Sequence, residues 1–287
     1  MSSQALAIAA PARPARRWGG TWTIGLVGAA VIVSWSAIAV LAPRLAPHSP
    51  RQVDVMARLK APSAEHPFGT DSLGRDVLSR VLVGARVSLP AGVVVVLLAA
   101  AFGTVYGGVA AYAGRTMEEV QMRVTDLFLS FPPLLLAMAI AAGLGKGVLN
   151  TIVAMAIVWW PKYARLARSL VLVQRSLEYV EAARALGSSH ARIVFRHVLP
   201  NTLAPILVIV SSQFATMVLL ESGLSFLGMG VQPPNPSWGG MLAEGRDYLS
   251  NAWWLATVPG VAISLVVLGA NLLGDGLRDL LDPHLRA

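Results

Sequence analysis

Residues 178–201 form a polar stretch, EYVEAARALGSSHARIVFRHVLPN, between two long apolar runs. Ser176 is predicted to cap a short helix at the start of this stretch, since hydroxyl side chains suit helix N-termini. Gly187 is expected to supply the left-handed residue that ends this helix. Ser188 is expected to begin a second helix that stops before Pro200. The stretch therefore predicts an elbow of two short helices.

Apolar runs of membrane-spanning length lie on both sides of this elbow. A hydrocarbon core about 30 Å thick needs roughly 20 apolar residues per helix, and the sequence has six such runs, at residues 21–41, 87–113, 126–144, 148–168, 201–225 and 252–274. Hydrophobic residues make up 55% of the 287 and charged residues 13%, against roughly a quarter charged in an average soluble domain. The sequence predicts an all-α polytopic membrane protein with six transmembrane helices.

Composition excludes several classes of function. The net charge of +8 does not indicate nucleic-acid binding, because the basic residues lie between the apolar runs and do not form one basic face. The lack of cysteine excludes disulfides, thiolate metal sites and cysteine nucleophiles. All five histidines lie outside the predicted spans, which disfavours intramembrane serine–histidine catalysis. We expect no catalytic residue, metal or cofactor in this chain.

The distribution of Lys and Arg predicts the orientation, because positive residues resist translocation. Placing the N-terminus in the cytoplasm puts most basic loops there, although the first outer loop also carries several basic residues. The predicted organisation is a cytoplasmic tail (1–20), a first transmembrane helix (21–41), an outer loop (42–86) with an interfacial helix at 75–86, a five-helix core (87–274) that includes the cytoplasmic loop 176–200, and a cytoplasmic tail (275–287).

Glu221 is the one carboxylate well inside a predicted span. A charge at the centre of a membrane helix costs about 2.5–3.5 kcal/mol on insertion scales, so such a residue is a candidate for a pathway or a gate. The alternative is that Glu221 lies near the outer end of its helix and pairs or snorkels there. Both interpretations stay open at the level of sequence.

Three co-ordered motifs resemble one family of transport proteins. The elbow is similar to the EAA loop of ATP-binding-cassette (ABC) importer permeases. The residues that match this motif are Glu181, Ala182, Ala183, Gly187, Leu199 and Pro200. The segments at residues 69–89 and 221–239 resemble the C-type permease subunit of the dipeptide, oligopeptide and nickel branch. The resemblance implies the transmembrane domain of a type I ABC importer, located in a bacterial inner membrane.

The resemblance also implies partners and a role for the elbow. The two short helices of the elbow would be coupling helices that dock in a cleft of the ATPase subunit, and Arg184 would add a positive charge beside the motif. The expected partners are a homologous B-type permease, two ABC ATPase subunits, an external substrate-binding protein and membrane lipid. The sequence lacks a Gly-x-x-x-x-Gly-Lys-Ser/Thr phosphate loop, so ATP and Mg are expected in the ATPase subunits. A short peptide is the first expectation for the cargo, with nickel and other small solutes open.

Polar residues of the fifth span are candidates to line the pathway: Ser211, Ser212, Gln213 and Thr216, together with Glu221. The alternative function is a secondary transporter that uses Glu221 for ion coupling. Such a transporter predicts inverted repeats, and the two halves of this sequence show no convincing similarity. A structural or assembly protein is the third class, and it leaves the elbow unexplained.

Overall fold

Long helices follow the apolar runs in the computed structural model, which describes residues 18–112 and 114–281. The helices are α1 Trp18–Leu45, α2 Val77–Ala110, α3 Arg115–Leu129, α4 Pro133–Leu144, α5 Val148–Gln174, α6 Glu178–Ala185, α7 His190–Arg192, α8 Leu199–Phe226, α9 Trp238–Gly245 and α10 Trp254–Leu281. One isolated β-bridge, between Thr70 and Asp76, is the only strand-like pairing in these two ranges. The predicted all-α architecture is confirmed.

Within the described residues, four helical segments are long and apolar enough to cross a membrane: α1, α2, the segment 190–226 that contains α8, and α10. α3 and α4 together make a fifth apolar segment, but it is bent by 89°. α5 has 27 residues, enough to cross a bilayer, and is less apolar because its second half carries basic residues. The apolar run predicted at 126–144 is thus not one straight helix, because α3 ends at Leu129 and α4 begins at Pro133. The helix breaks there because proline lacks an N–H and its ring prevents continuation of the preceding helix.

The boundaries of α2 and α10 also differ from the predicted organisation. α2 begins at Val77, where the Asp76 carboxylate accepts a hydrogen bond from Ser79 N at 2.8 Å. Residues 75–86 therefore do not form a separate interfacial helix, because nearly all of them belong to the first turns of α2. α10 continues to Leu281, inside the predicted C-terminal tail. The remaining parts of both predicted tails, 1–17 and 282–287, lie outside the described residues.

Successive long segments run between the two ends of a helix bundle. At one end lies the elbow, residues 175–199; at the other lies the cap, which we define as residues 46–76 and α9. The Trp254 side chain at the start of α10 donates to Thr70 O of the cap at 3.2 Å, whereas Gly274 near the end of α10 lies against Ser212, toward the elbow. The first and last described residues therefore lie at the elbow end, as alternation of six passes requires.

Close backbone approach holds α2 against α5. A Cβ on Gly107 would lie 2.0 Å from Ala164 O, and one on Gly103 would lie 2.3 Å from Trp160 O. These two glycines are four residues apart on one helix face, the spacing that lets membrane helices pack closely. The contact places the end of α2 beside the end of α5, directly under the elbow.

Candidate functional site: the elbow between α5 and α8

The first half of the elbow is a helix of eight residues, α6, which ends as predicted. Gly187 has φ +80°, and its N–H donates to Arg184 O at 3.0 Å, so it stops the helix with a left-handed residue. The predicted cap at Ser176 is wrong. The Ser176 hydroxyl donates to Val173 O at 2.9 Å, because the turn that ends α5 is the nearer acceptor, and Leu177 occupies the N-cap position without a side-chain bond.

The second half of the elbow does not stop before Pro200, contrary to prediction. The Ser189 hydroxyl caps α7 by accepting from Arg192 N at 3.4 Å, and a π-helical turn, Ile193–Val198, then leads directly into α8. Pro200 lies in the first turn of α8, a position where the missing N–H of proline is tolerated. The second half of the elbow is thus helical from α7 into α8, whereas the turn at Gly187 separates it from α6.

An apolar cluster fixes α6 to the ends of the long helices. Ala183 is only 9% exposed, so of the two alanines in the motif only Ala182 is open to a partner. Helix periodicity explains this, since α6 turns Val180 and Ala183 to the same face. The cluster joins that face to the π-helical turn and to the ends of α2, α5 and α8, through Ala111, Val171, Val180, Ala183, Ile193, Val194, Val198 and Leu199.

The remaining surface of α6 and the turn after it are open. Glu181, Ala182, Arg184 and Gly187 are exposed there, as is Pro200 at the start of α8. Leu186 is 87% exposed, and sequence reasoning missed it because an isolated leucine next to a glycine gives no signal of exposure. We call Glu181, Ala182, Arg184, Leu186 and Gly187 the docking face.

Hydrogen bonds add to the apolar connection between the elbow and the helix ends. Arg175 Nη1 donates to Ala111 O at 2.6 Å, and the Tyr179 hydroxyl donates to Gln174 Oε1 at 2.7 Å. Burial raises the pKa of Tyr112, although the nearby guanidinium groups of Arg184 and Arg175 oppose this rise. Tyr112 is therefore neutral at physiological pH, and the elbow carries fixed positive charge beside a neutral phenol.

The polar residues predicted for the pathway lie on α8, and one of them lines a cavity in the described part of the chain. Ser212 lines a cavity of about 700 Å³ at the elbow end, with Gln174, Asn201, Asp275 and Arg278 among its neighbours. Its hydroxyl donates to Ile209 O at 3.0 Å, and that of Ser211 bonds to its own helix in the same way. Gln213 and Thr216 are half-buried on α8 and do not line that cavity. Their pathway role stays a prediction.

Glu221 lies at the cap end of α8, five residues before the helix ends. It is fully buried, and its Oε1 accepts a hydrogen bond from the Ser225 hydroxyl at 2.8 Å. α9 packs against this turn so closely that a Cβ on Gly239 would lie 2.1 Å from Ser222 O. Glu221 therefore does not snorkel to the surface, and its role in a gate stays a prediction.

A buried ionic cluster holds the cap together, and the sequence did not reveal it. Arg75 Nε lies 2.6 Å from Asp71 Oδ2, and Arg75 Nη2 lies 2.8 Å from Glu244 Oε2. Arg80 Nη2 binds the same Glu244 oxygen at 2.9 Å. The motif at residues 69–80 thus joins the first outer loop to α9. No signal in the sequence pointed to Glu244, which lies more than 160 residues away.

The part of the chain that contains the elbow also matches a protein-family model. Residues 103–287 match the model described as the binding-protein-dependent transport system inner membrane component. The match covers more than half of the chain, including α3 to α10 and the whole elbow. The chain belongs to this family, and it is the membrane permease component of a binding-protein-dependent transport system.

Curated relatives extend the similarity over nearly the whole chain. The dipeptide transport system permease protein DppC of Alkalihalophilus pseudofirmus is 45% identical over 264 residues, covering 92% of this chain and 87% of that protein. A putative peptide transport system permease protein of Brucella suis is 46% identical over 266 residues, covering 93% and 88%. The glutathione transport system permease protein GsiD of Escherichia coli is 42% identical over 264 residues, covering 92% and 87%.

Proposed function

We propose that this chain is one of two homologous permease subunits in an ABC importer that carries short peptides across a bacterial inner membrane. In this proposal the chain forms half of the pathway and hydrolyses no ATP itself. Two separate ATPase subunits bind ATP and Mg, and an external binding protein delivers the cargo. The supporting observation is the elbow, whose open docking face lies on a helix that packs against the ends of α2, α5 and α8.

The packing of the elbow supports a mechanical role. A partner that moves α6 as a rigid body also moves the apolar cluster beneath it, since packed interiors transmit displacement and deform little. That cluster contains the ends of α2, α5 and α8. In our proposal, closure of the ATPase subunits on ATP displaces these three ends together and switches the access of the pathway between the two sides of the membrane.

The orientation follows from the same proposal. Because the ATPase subunits are cytoplasmic, the elbow end of the bundle faces the cytoplasm and the cap faces outward. The first and last described residues lie at the elbow end, which supports the predicted cytoplasmic N- and C-termini. The external binding protein then approaches the cap.

The named cargoes of the relatives support a peptide as substrate. Their printed names refer to dipeptide, D,D-dipeptide and glutathione transport, and these solutes are all short and peptide-like. A secondary transporter that uses Glu221 for ion coupling is not favoured, because the family consists of components of binding-protein-dependent systems. We propose a short peptide, and we assign neither nickel nor another ion as cargo.

Co-purification tests the proposal directly. The detergent-solubilised chain is isolated from its native membrane, the retained proteins are identified by mass spectrometry, and ATP hydrolysis is measured. We expect two kinds of partner, ATPase subunits and a second permease, and faster hydrolysis when the external binding protein is added with a peptide. Isolation of the chain alone, under conditions that keep a known ABC importer intact, would contradict the proposal.

A further inference from the structure

Two histidines and an aspartate from separate segments converge in the cap. His48 follows α1, His66 lies in the loop, and Asp76 caps α2. One ligand atom from each of the three side chains lies within 4.8 Å of the other two, and the two imidazole rings have centroids 4.8 Å apart. Their spacing shows no metal-binding pattern, because the three residues are separated by 18 and 10 positions.

Hydrogen bonds orient all three side chains. His66 Nδ1 lies 3.0 Å from Asp76 Oδ1, and His48 Nε2 lies 3.1 Å from Glu65 O. Both contacts join a ring nitrogen to an oxygen acceptor, so the nitrogen is the donor in each. Asp76 is held in turn by Ser79 N. An ion bound between His66 Nδ1 and Asp76 Oδ1 takes the place of the proton that joins these two atoms, because metal binding to histidine and carboxylate ligands releases protons.

Burial and access suit a small cation. His66 and Asp76 are buried, whereas His48 is half-buried and lines a surface cavity of about 820 Å³. That cavity gives an ion a path to the inner two residues. Two imidazole nitrogens and a carboxylate favour a borderline ion such as Zn²⁺ over Mg²⁺ or Ca²⁺, which prefer oxygen ligands. Three protein ligands leave a fourth position for water.

We propose that His48, His66 and Asp76 form a binding site for a Zn²⁺-like divalent transition-metal ion. The bound ion joins the end of α1 to the start of α2 and to the loop between them. It therefore favours the conformation of the cap in which these three segments meet. The site lies at the opposite end of the bundle from the docking face, so it is independent of the proposed coupling to ATPase subunits.

Direct measurement of Zn²⁺ binding tests the site. The full chain, purified in its native complex and stripped with a chelator, is titrated with Zn²⁺ by calorimetry, and its retained zinc is counted by mass spectrometry. We expect one ion per chain, and at least a tenfold loss of affinity in His48→Asn and in His66→Asn. The matched control is His190→Asn, an exposed histidine at the elbow end, which should bind Zn²⁺ as the native chain does.

A second readout separates a built site from unspecific binding. X-ray absorption should show two imidazole ligands with Zn–N distances of about 2.0–2.1 Å, and one imidazole in His48→Asn. Because His66 is buried and its variant can fail to fold, the half-buried His48 carries the decisive comparison, with elution of the intact complex as the check on folding. Equal Zn²⁺ affinity in His48→Asn and the native chain would overturn the proposal, as would the absence of any binding.

Discussion

Replacing Leu186 with serine is expected to weaken the binding of ATPase subunits without unfolding the permease. Leu186 is 87% exposed, so its side chain contributes little to the folded state of the isolated chain. In the proposed complex the same side chain is covered by the ATPase subunit. The substitution therefore acts on association and leaves folding nearly unchanged.

The magnitude follows from the area that the partner covers. Full burial of a leucine side chain contributes about 1.5–3 kcal/mol relative to the exposed state. Because each 1.4 kcal/mol is a factor of ten in an equilibrium constant, loss of this burial raises Kd by about one to two powers of ten. The neighbouring Arg184 and Glu181 are expected to contribute less, since exposed charges at the rim of an interface affect association rates more than affinity.

The assay measures Kd with the permease complex in lipid nanodiscs and a fluorescently labelled ATPase subunit. The matched control is Met56→Ser, because Met56 is also 87% exposed but lies in the cap. We expect unchanged Kd for Met56→Ser and unchanged thermal stability for both variants. A Kd for Leu186→Ser within twofold of the native value, or an equal effect of Met56→Ser, would refute the assignment of the docking face.

Four further substitutions test the packing that the proposal requires. Ala183→Glu should disrupt the elbow, because it buries a carboxylate in an apolar cluster, and faster proteolysis of the elbow would show this. Ala182→Glu should preserve the fold and weaken ATPase binding, which the Kd measures. Gly107→Val should destabilise the bundle by several kcal/mol through overlap with α5, seen as loss of monodisperse protein. Glu244→Gln should destabilise the cap by about 1–3 kcal/mol, less than a fully buried pair because the glutamate is partly exposed, measured by thermal unfolding.

Each of these substitutions has a control. Gly143→Ala should be tolerated, because a Cβ there meets nothing within 4 Å. Glu119→Gln removes an exposed ion pair to Arg115 and should change stability by less than about 0.5 kcal/mol. If Ala183→Glu folds and transports normally, the apolar cluster is not the connection between the elbow and the helix ends. If the Glu244→Gln variant unfolds at the same temperature as the native protein, the ionic cluster does not stabilise the cap.

Local signals in the sequence predicted much of the elbow. Gly187 could be assigned as the end of α6, because a left-handed residue after a helix strongly favours glycine. The apolar runs likewise predicted where the long helices lie, since the bilayer sets their length and composition. The break before Pro133 and the start of α2 at Val77 were missed, although a proline pair and an aspartate cap were local signals for both.

The sequence by itself determined the class of protein: apolar segments of membrane-spanning length, an elbow between two of them, and the motif that identifies the elbow. Tertiary structure decided which residues are accessible, because Ala182 and Ala183 are alike in sequence and differ only in the face that α6 turns to the cluster. It also decided which charged groups meet. Glu244 reaches Arg75 and Arg80 only when α9 packs beside the start of α2. His48 reaches His66 only when the loop between α1 and α2 folds back on itself, and no local propensity encodes either contact.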